Sequence, residues 1–158
     1  MWLAGCAEPT ASSIAPGSLG GMRSGSIYVP AFDAKPSLVS VTTGEFVAEL
    51  SSRARVLVVR GNSIAHDSNP DVTSGSMLQN IEAGVQTARQ AGANLLVTGE
   101  INVHGSAQGV TAEAILQVIT LADGSTISRL RQVCTAPTER EAAVGAARQA
   151  AQVLAAGF

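Results

Sequence analysis

Hydrophobic positions recur along the chain with two different periods, and the alternation between these periods predicts the fold. Five short runs have the alternation or the Val, Leu and Ile content of β-strands, and three segments repeat apolar residues at helical spacing. The predicted strands span residues 26–32, 55–60, 94–104, 110–121 and 126–134, and the predicted helices span residues 43–53, 76–91 and 138 onward. The predicted element order is therefore β-α-β-α-β-β-β-α.

Capping signals mark the boundaries of these helices. Thr42 and Glu45 have the spacing of a capping box, in which each side chain bonds the other residue's backbone N–H, and Thr138 and Glu141 repeat that spacing. Gly92 follows the second helix, where a glycine often ends a helix in the left-handed conformation. We therefore expect the first helix to begin beside Thr42 and the third beside Thr138.

The order of the elements predicts how the strands pair. Two β-α crossovers connect the first three strands, so these strands should run parallel, and the Asp-Gly turn within residues 122–125 predicts a hairpin between the last two. Residues 55–60 form an uninterrupted apolar run between two arginines, which is typical of a central strand covered on both faces. The prediction is one α/β (α+β) domain over residues 26–158, with helices packed on the faces of a mixed five-stranded sheet.

The beginning of the chain differs in character from the rest. Residues 3–6 read Leu-Ala-Gly-Cys and resemble the lipobox of bacterial lipoproteins, in which small residues precede a cysteine that receives acyl chains. The resemblance implies lipid attachment at Cys6, with residues 1–6 as the remnant of a signal. The Gly-, Ser- and Pro-rich residues 7–25 are typical of a flexible tether. The alternative is that Cys6 is an unmodified thiol in a tail.

Composition narrows the possible partners. The 158 residues carry a net charge of −2, and their ten Lys and Arg residues are scattered, so the basic surface that nucleic acids require is not expected. No apolar run approaches the roughly 20 residues of a spanning helix.

Cys134 lies in an apolar strand, where we expect a buried small side chain, and with Cys6 acylated it would have no disulfide partner. The cysteine and histidine spacing predicts no metal site, and no cofactor is expected.

Five charged or titratable side chains form the candidate partner-binding site. They share a face within each of three consecutive strands, and they meet on one surface if the strand register aligns those faces. These residues are Glu100, His104, Glu113, Arg129 and Arg131. The alternative is ordinary cross-strand charge pairing, in which each pair contributes about 0.2 to 1 kcal/mol.

Another polar segment carries the hydrolase alternative. His66, Asp67 and Asp71 lie in the loop after the second strand, a position where α/β folds often carry function. The sequence contains neither Gly-x-Ser-x-Gly nor His-x-x-Glu-His, and a solvated loop with local turns explains the same residues. We therefore expect a protein that is not an enzyme and has no catalytic residues.

A family resemblance joins these observations. The chain is similar to bacterial envelope lipoprotein domains of the CsgG, LpoB, FlgO and TolB-amino-terminal type, which have a Gly-Ala-Asp sequence, an apolar strand and a Thr-Gly pair before a hairpin. Here Gly92, Ala93 and Asn94 precede the strand and Thr98-Gly99 interrupts it, with Asn in place of Asp. The resemblance covers roughly residues 26–156.

The resemblance also implies a function and a location. Members of this type bind other envelope proteins, and some of them form oligomeric rings. The implied function is a non-catalytic assembly or accessory subunit of an envelope machine, anchored by Cys6 at the periplasmic face of the outer membrane. Its implied partners are envelope proteins and further copies of itself. The alternative within the same family is a periplasmic activator of a cell-wall synthase.

Overall fold

The computed structural model describes residue 19 and residues 25–61 and 75–158, without the side chains of residues 75–80. The predicted element order is confirmed. The strands are β1 (Ser26–Val29), β2 (Leu57–Arg60), β3 (Leu95–Ser106), β4 (Gly109–Thr120) and β5 (Thr126–Ala136), and the helices are α1 (Pro36–Ala54), α2 (Gly75–Gln90) and α3 (Glu139–Ala156). Cys6, the proposed tether apart from residues 19 and 25, and the His66 loop with Asp67 and Asp71 lie outside the described residues.

The five strands form one mixed sheet in the order β2-β1-β3-β4-β5. β1 pairs in parallel with both β2 and β3, and β4 pairs antiparallel with β3 and β5, so the predicted mixed sheet is confirmed. The prediction that residues 55–60 form a central strand is wrong, because β2 lies at the edge and Leu57 is 68% exposed. Val58 and Val59 are half-buried against clusters on opposite faces of the sheet, which explains an apolar run in an edge strand.

Helices α1 and α3 cover one face of the sheet and enclose the main core. They run in the same direction, because Lys35 Nζ lies 2.7 Å from Glu139 Oε1 at their beginnings and Gln152 Nε2 donates to Glu49 Oε1 at 3.1 Å near their ends. A hydrogen bond from Arg53 lowers the pKa of Glu49 below its usual value. These exposed pairs orient the helices, whereas the buried alanines of α3 and the apolar strands beneath them supply most of the stabilisation.

Helix α1 begins seven residues before the predicted start. Pro36 occupies its first turn, where a fixed φ and a missing N–H suit a helix beginning, so the predicted capping box of Thr42 and Glu45 is wrong. The hydroxyl of Thr42 instead donates to the Leu38 carbonyl at 2.7 Å. The Thr43 hydroxyl accepts from the backbone N–H of Phe32 at 3.0 Å. The two threonines are therefore buried parts of the helix body.

The remaining boundary signals are confirmed. The Thr138 hydroxyl accepts from the Glu141 N–H at 3.2 Å, and Gly92 follows α2 with a φ of +75°. In the β4–β5 turn, Gly124 has a φ of +76°, and the Asp123 carboxylate accepts from both the backbone and the hydroxyl of Ser125. These hydrogen bonds lower the pKa of Asp123.

Candidate protein-binding face

The register of β3, β4 and β5 places all five predicted site residues on one surface. Residues that pair directly across strands point to the same face, and Glu100 pairs with Ile115, which in turn pairs with Arg131. The neighbouring rows add Asn102 with Glu113 and Val133, Thr98 with Gln117 and Arg129, and His104 with Thr111 and Thr135. We call this surface, made of these twelve residues, the polar sheet face.

Ile115 lies at the middle of the polar sheet face. It is 36% exposed although it is a large apolar side chain in a central strand. Glu100 flanks it on one side and Arg131 on the other, so one row across three strands reads acid, apolar, base. Hydrophobic residues ringed by polar ones are typical of the energetically important centres of protein interfaces.

Two contacts within the polar sheet face bridge β4 and β5. Arg131 donates to the carboxylate of Glu113, and the hydroxyls of Thr111 and Thr135 lie 3.0 Å apart. The Glu113 side chain is 19% exposed and that of Arg131 is 65% exposed, so water screens the pair from the arginine side. Cross-strand charge pairing, the alternative stated from the sequence, thus accounts for Glu113 and Arg131. No ion pair of Glu100, His104 or Arg129 occurs among the described residues.

The positions of the helices explain why this face is open. Helices α1 and α3 lie on the opposite face, and α2 packs only at one end of the sheet, over a small cluster that includes Tyr28, Leu96 and Ile119. Leu96 and Ile119 pair with each other one row beyond Thr98 and Gln117. Within the described part of the chain, α2 therefore covers the row of Leu96 and Ile119, and the polar sheet face begins at the next row.

The backbone of β3 is fixed on its other side by the segment that follows β1. The Asp33 N–H donates to the Gly99 carbonyl at 2.9 Å, and the Ile101 N–H donates to the Asp33 carbonyl at 2.8 Å. Glu100 lies between these two bonds. The anchoring of residues 32 and 33 therefore sets the position of the acidic edge of the polar sheet face.

Sequence reasoning identified the charged residues of this face but missed Ile115. The signal was present, because Glu113 and Gln117 are polar and lie two positions to either side of Ile115, so strand alternation places all three residues on one face. An isoleucine at an outward position between two polar ones is the feature that distinguishes this strand from an ordinary solvated one.

The described residues were also searched for metal sites and membrane-spanning helices. They contain no group of three or more side chains that could hold a metal ion, and none of their helices is both long and apolar enough to cross a membrane.

Cys134 is fully buried on the helix-covered side of β5, as expected. It is also disulfide-bonded, which was not expected. Leu19, within the predicted tether, is buried and its N–H donates to the Gly157 carbonyl at 2.7 Å.

Comparisons with known proteins identify the fold. No family model matches the sequence, and no curated protein matches it. The PelC dodecamer from Paraburkholderia phytofirmans is similar in structure, with a TM-score of 0.59, 11% identity and 94% of each chain covered. The LpoB C-terminal domain from Salmonella enterica has a TM-score of 0.50 and 13% identity over 78% of this chain and 86% of its own.

A third similar solved structure is that of a bacterial lipoprotein. Lipoprotein GNA1162 from Neisseria meningitidis has a TM-score of 0.50 and 13% identity over 72% of this chain and 82% of its own. At such low identities the likeness concerns the fold. The chain therefore has a fold that is also found in a bacterial lipoprotein, and the LpoB part of the resemblance is confirmed at the level of the fold, whereas similarity to CsgG and FlgO stays a prediction.

Proposed function

We propose that this chain is a periplasmic domain, anchored to the outer membrane through Cys6, that serves as a non-catalytic assembly or accessory subunit of an envelope machine. The observation that carries the proposal is the open polar sheet face, with Ile115 at its centre between Glu100 and Arg131. A rigid three-stranded surface with an apolar centre and charges of both signs suits another protein better than a small molecule.

The comparisons support this proposal through the fold. One protein with this fold assembles as a dodecamer and another is a lipoprotein. The same combination, an anchor and repeated association through the folded domain, would let this chain organise other envelope proteins around it. A cell-wall synthase activator, the alternative that the family resemblance of the sequence implies, is the second candidate. An activator would change the rate of a synthase, whereas an assembly subunit would form discrete oligomers.

The polar sheet face is tested by crosslinking in the native envelope. A photoreactive amino acid at His104, on the exposed rim, should give an adduct with a defined envelope protein, and Ile115→Asp should abolish that adduct. Leu57→Asp is the matched control, because Leu57 is an exposed apolar residue on β2, away from the face. Equal adduct yields in the Ile115 and Leu57 variants would show that the face is not the binding site.

The lipid anchor is tested by metabolic labelling with a fatty-acid analogue. We expect label on the wild-type protein, none on a Cys6→Ser variant, and release of that variant from the membrane fraction, because acyl chains contribute about 0.8 kcal/mol per buried methylene. Intact mass provides the independent check. Cys134 is disulfide-bonded and Cys6 is the other cysteine of the sequence, so the disulfide-bonded chain and the acylated chain are alternatives that intact mass distinguishes. An unlabelled chain that keeps the disulfide would contradict the anchor.

A further inference from the structure

The two faces of the sheet differ in helix cover across the described residues. On one face, α1 and α3 lie side by side, and α3 covers β4 and β5. On the other face, α2 packs over one end of the sheet, against Leu96 and Ile119. The position opposite α3, over the polar sheet face, carries no helix of the described ranges. A helix-sized place is therefore open above β4.

Asp33 extends the acidic side of the polar sheet face. Its backbone pairs in parallel with Glu100 of β3, so the two carboxylates lie on the same face of the sheet. Asp33 is exposed, whereas Phe32, the residue before it, is buried in the core on the helix-covered side. The row through Ile115 therefore reads acid, acid, apolar, base from Asp33 to Arg131.

Charges of opposite sign stand apart on this surface. We call Asp33 and Glu100 the acidic flank, and Arg129 and Arg131 of β5 the basic flank. Strand β4 lies between the flanks, so β3 and β5, which carry Glu100 and the two arginines, are about 10 Å apart. Of the ion pairs among the described residues, one involves a flank, that of Arg131 with Glu113, and the Arg131 side chain is still 65% exposed. Asp33 and Arg129 are exposed as well, so both flanks are accessible to another protein.

We propose that an amphipathic α-helix of a partner protein docks along β4 on the polar sheet face. Its apolar stripe would contact Ile115, its basic residues would lie over the acidic flank, and its acidic residues would lie over the basic flank. A helix with its side chains is about 10 Å wide, which matches the separation of the flanks. The four rows of the face span about 20 Å, the length of a helix of about 14 residues. This inference rests on the proposed binding function and names the kind of partner.

The hydrogen bonding of the strands favours a helix over an added strand. A peptide that adds to a sheet as a strand binds through unpaired backbone groups at an edge. Strand β4 pairs with β3 and β5, and β3 pairs on its other side with β1 and Asp33, so the polar sheet face presents side chains. An apolar stripe with flanking charges is the form in which a helix recognises such a surface.

The spacing of crosslinks tests the helix. Photoreactive diazirine residues at Thr98 and His104, in separate variants, lie on one face of β3 and about 20 Å apart. In the native envelope, the two crosslinked positions on the partner should be about 13 residues apart along a helix, but about 6 apart along an extended strand. Mass spectrometry of the crosslinked peptides measures this spacing.

The same experiment separates this inference from the proposed function. A spacing near that of a strand, crosslinks to scattered segments, or crosslinks to a second copy of this chain would overturn the helix and leave the binding function standing. Adducts confined to a single chain, or no adduct at either position, would overturn both.

Synthetic helical peptides test the arrangement of the charges. Three peptides of about 18 residues share a leucine stripe and carry lysines on both flanks, glutamates on both flanks, or lysines on one and glutamates on the other. The purified full chain should bind the mixed peptide about 2- to 30-fold more tightly than either uniform peptide, because each exposed ion pair contributes modestly. Fluorescence anisotropy gives the dissociation constants. Equal affinities, or no binding of any peptide, would contradict the proposal.

Charge reversal assigns the preference to the flanks. Arg129→Glu combined with Arg131→Glu should make the lysine peptide the tightest ligand, and Asp33→Lys combined with Glu100→Lys should do the same for the glutamate peptide.

Arg55→Glu combined with Arg140→Glu is the matched control, because both arginines are exposed and lie outside the polar sheet face. It should keep the order of the wild type, and circular dichroism verifies that each variant is folded. A folded flank variant that also keeps the wild-type order would show that the flanks do not select the partner helix.

Discussion

Replacement of Gly99 by alanine should lower the free energy of unfolding by about 1 to 3 kcal/mol, although it adds one methyl group to a strand. A Cβ atom at Gly99 would lie 2.6 Å from Cε1 of Phe32 and 2.8 Å from Cδ2 of Leu116. Neither neighbour can give way easily, because both are fully buried and the Phe32 ring packs edge-to-face on Phe46 with centroids 5.0 Å apart. Chemical denaturation followed by circular dichroism measures the effect.

The same strand provides the control for this prediction. A Cβ atom at Gly105 would meet nothing within 4 Å, so Gly105→Ala should change the stability little or raise it by about 0.4 to 1 kcal/mol. A smaller side chain at residue 32 should partly rescue the first variant, so Gly99→Ala combined with Phe32→Leu should be less destabilised than the sum of the two. Additive losses in that double variant would show that the methyl group and the ring do not collide.

The contact with Phe32 also explains part of the motif noted in the sequence. Thr98-Gly99 was identified by resemblance, and the sequence by itself contains no reason for a glycine in the middle of an apolar strand. The structure supplies the reason, because Phe32 comes from a segment 67 positions earlier and lies directly over Gly99. Long-range contacts of this kind are decided by how the strands are ordered in space.

The difference between features set by neighbouring residues and features set by long-range contacts also separates the correct predictions of the fold from the wrong ones. Hydrophobic periodicity and local turn residues determined the element order, the Thr138 cap and the β4–β5 turn, because each depends on a few neighbouring residues. The central placement of residues 55–60 depended on which strand lies beside which. An apolar run is equally compatible with a central strand and with an edge strand whose two faces are half-covered by α1 and α2.

In the candidate site, too, the sequence predicted what depends on neighbouring residues and missed what depends on the packing of distant elements. Strand alternation placed Glu100, Glu113 and Arg131 on one surface, and the register confirms that placement. What alternation could not provide was the extent of helix cover, because α2 shields Leu96 and Ile119 but leaves Ile115 exposed on the same face. The partner-binding role of the face stays a prediction that the crosslinking experiment tests.

The second large stability effect concerns the body of α1, where the hydroxyl of Thr43 holds the segment that follows β1. Thr43→Val should lower the free energy of unfolding by about 1 to 3 kcal/mol, because it leaves the N–H of Phe32 without its 3.0 Å hydrogen bond inside the protein. Val has nearly the same volume as Thr, so the loss would come from the hydrogen bond. Thermal unfolding measures the effect.

Thr42→Val is the matched control, since both threonines are fully buried in consecutive positions of α1. The Thr42 hydroxyl donates to the Leu38 carbonyl, an acceptor that lies one helical turn back and can also accept the regular helix bond, so its loss should cost less than 1 kcal/mol. Thr43→Val should in addition raise the hydrogen exchange of the Ile101 amide, because Asp33, which accepts from it, follows Phe32 directly. Equal destabilisation by the two variants, with unchanged exchange at Ile101, would show that the Thr43 hydroxyl does not anchor β3 and the acidic edge of the polar sheet face.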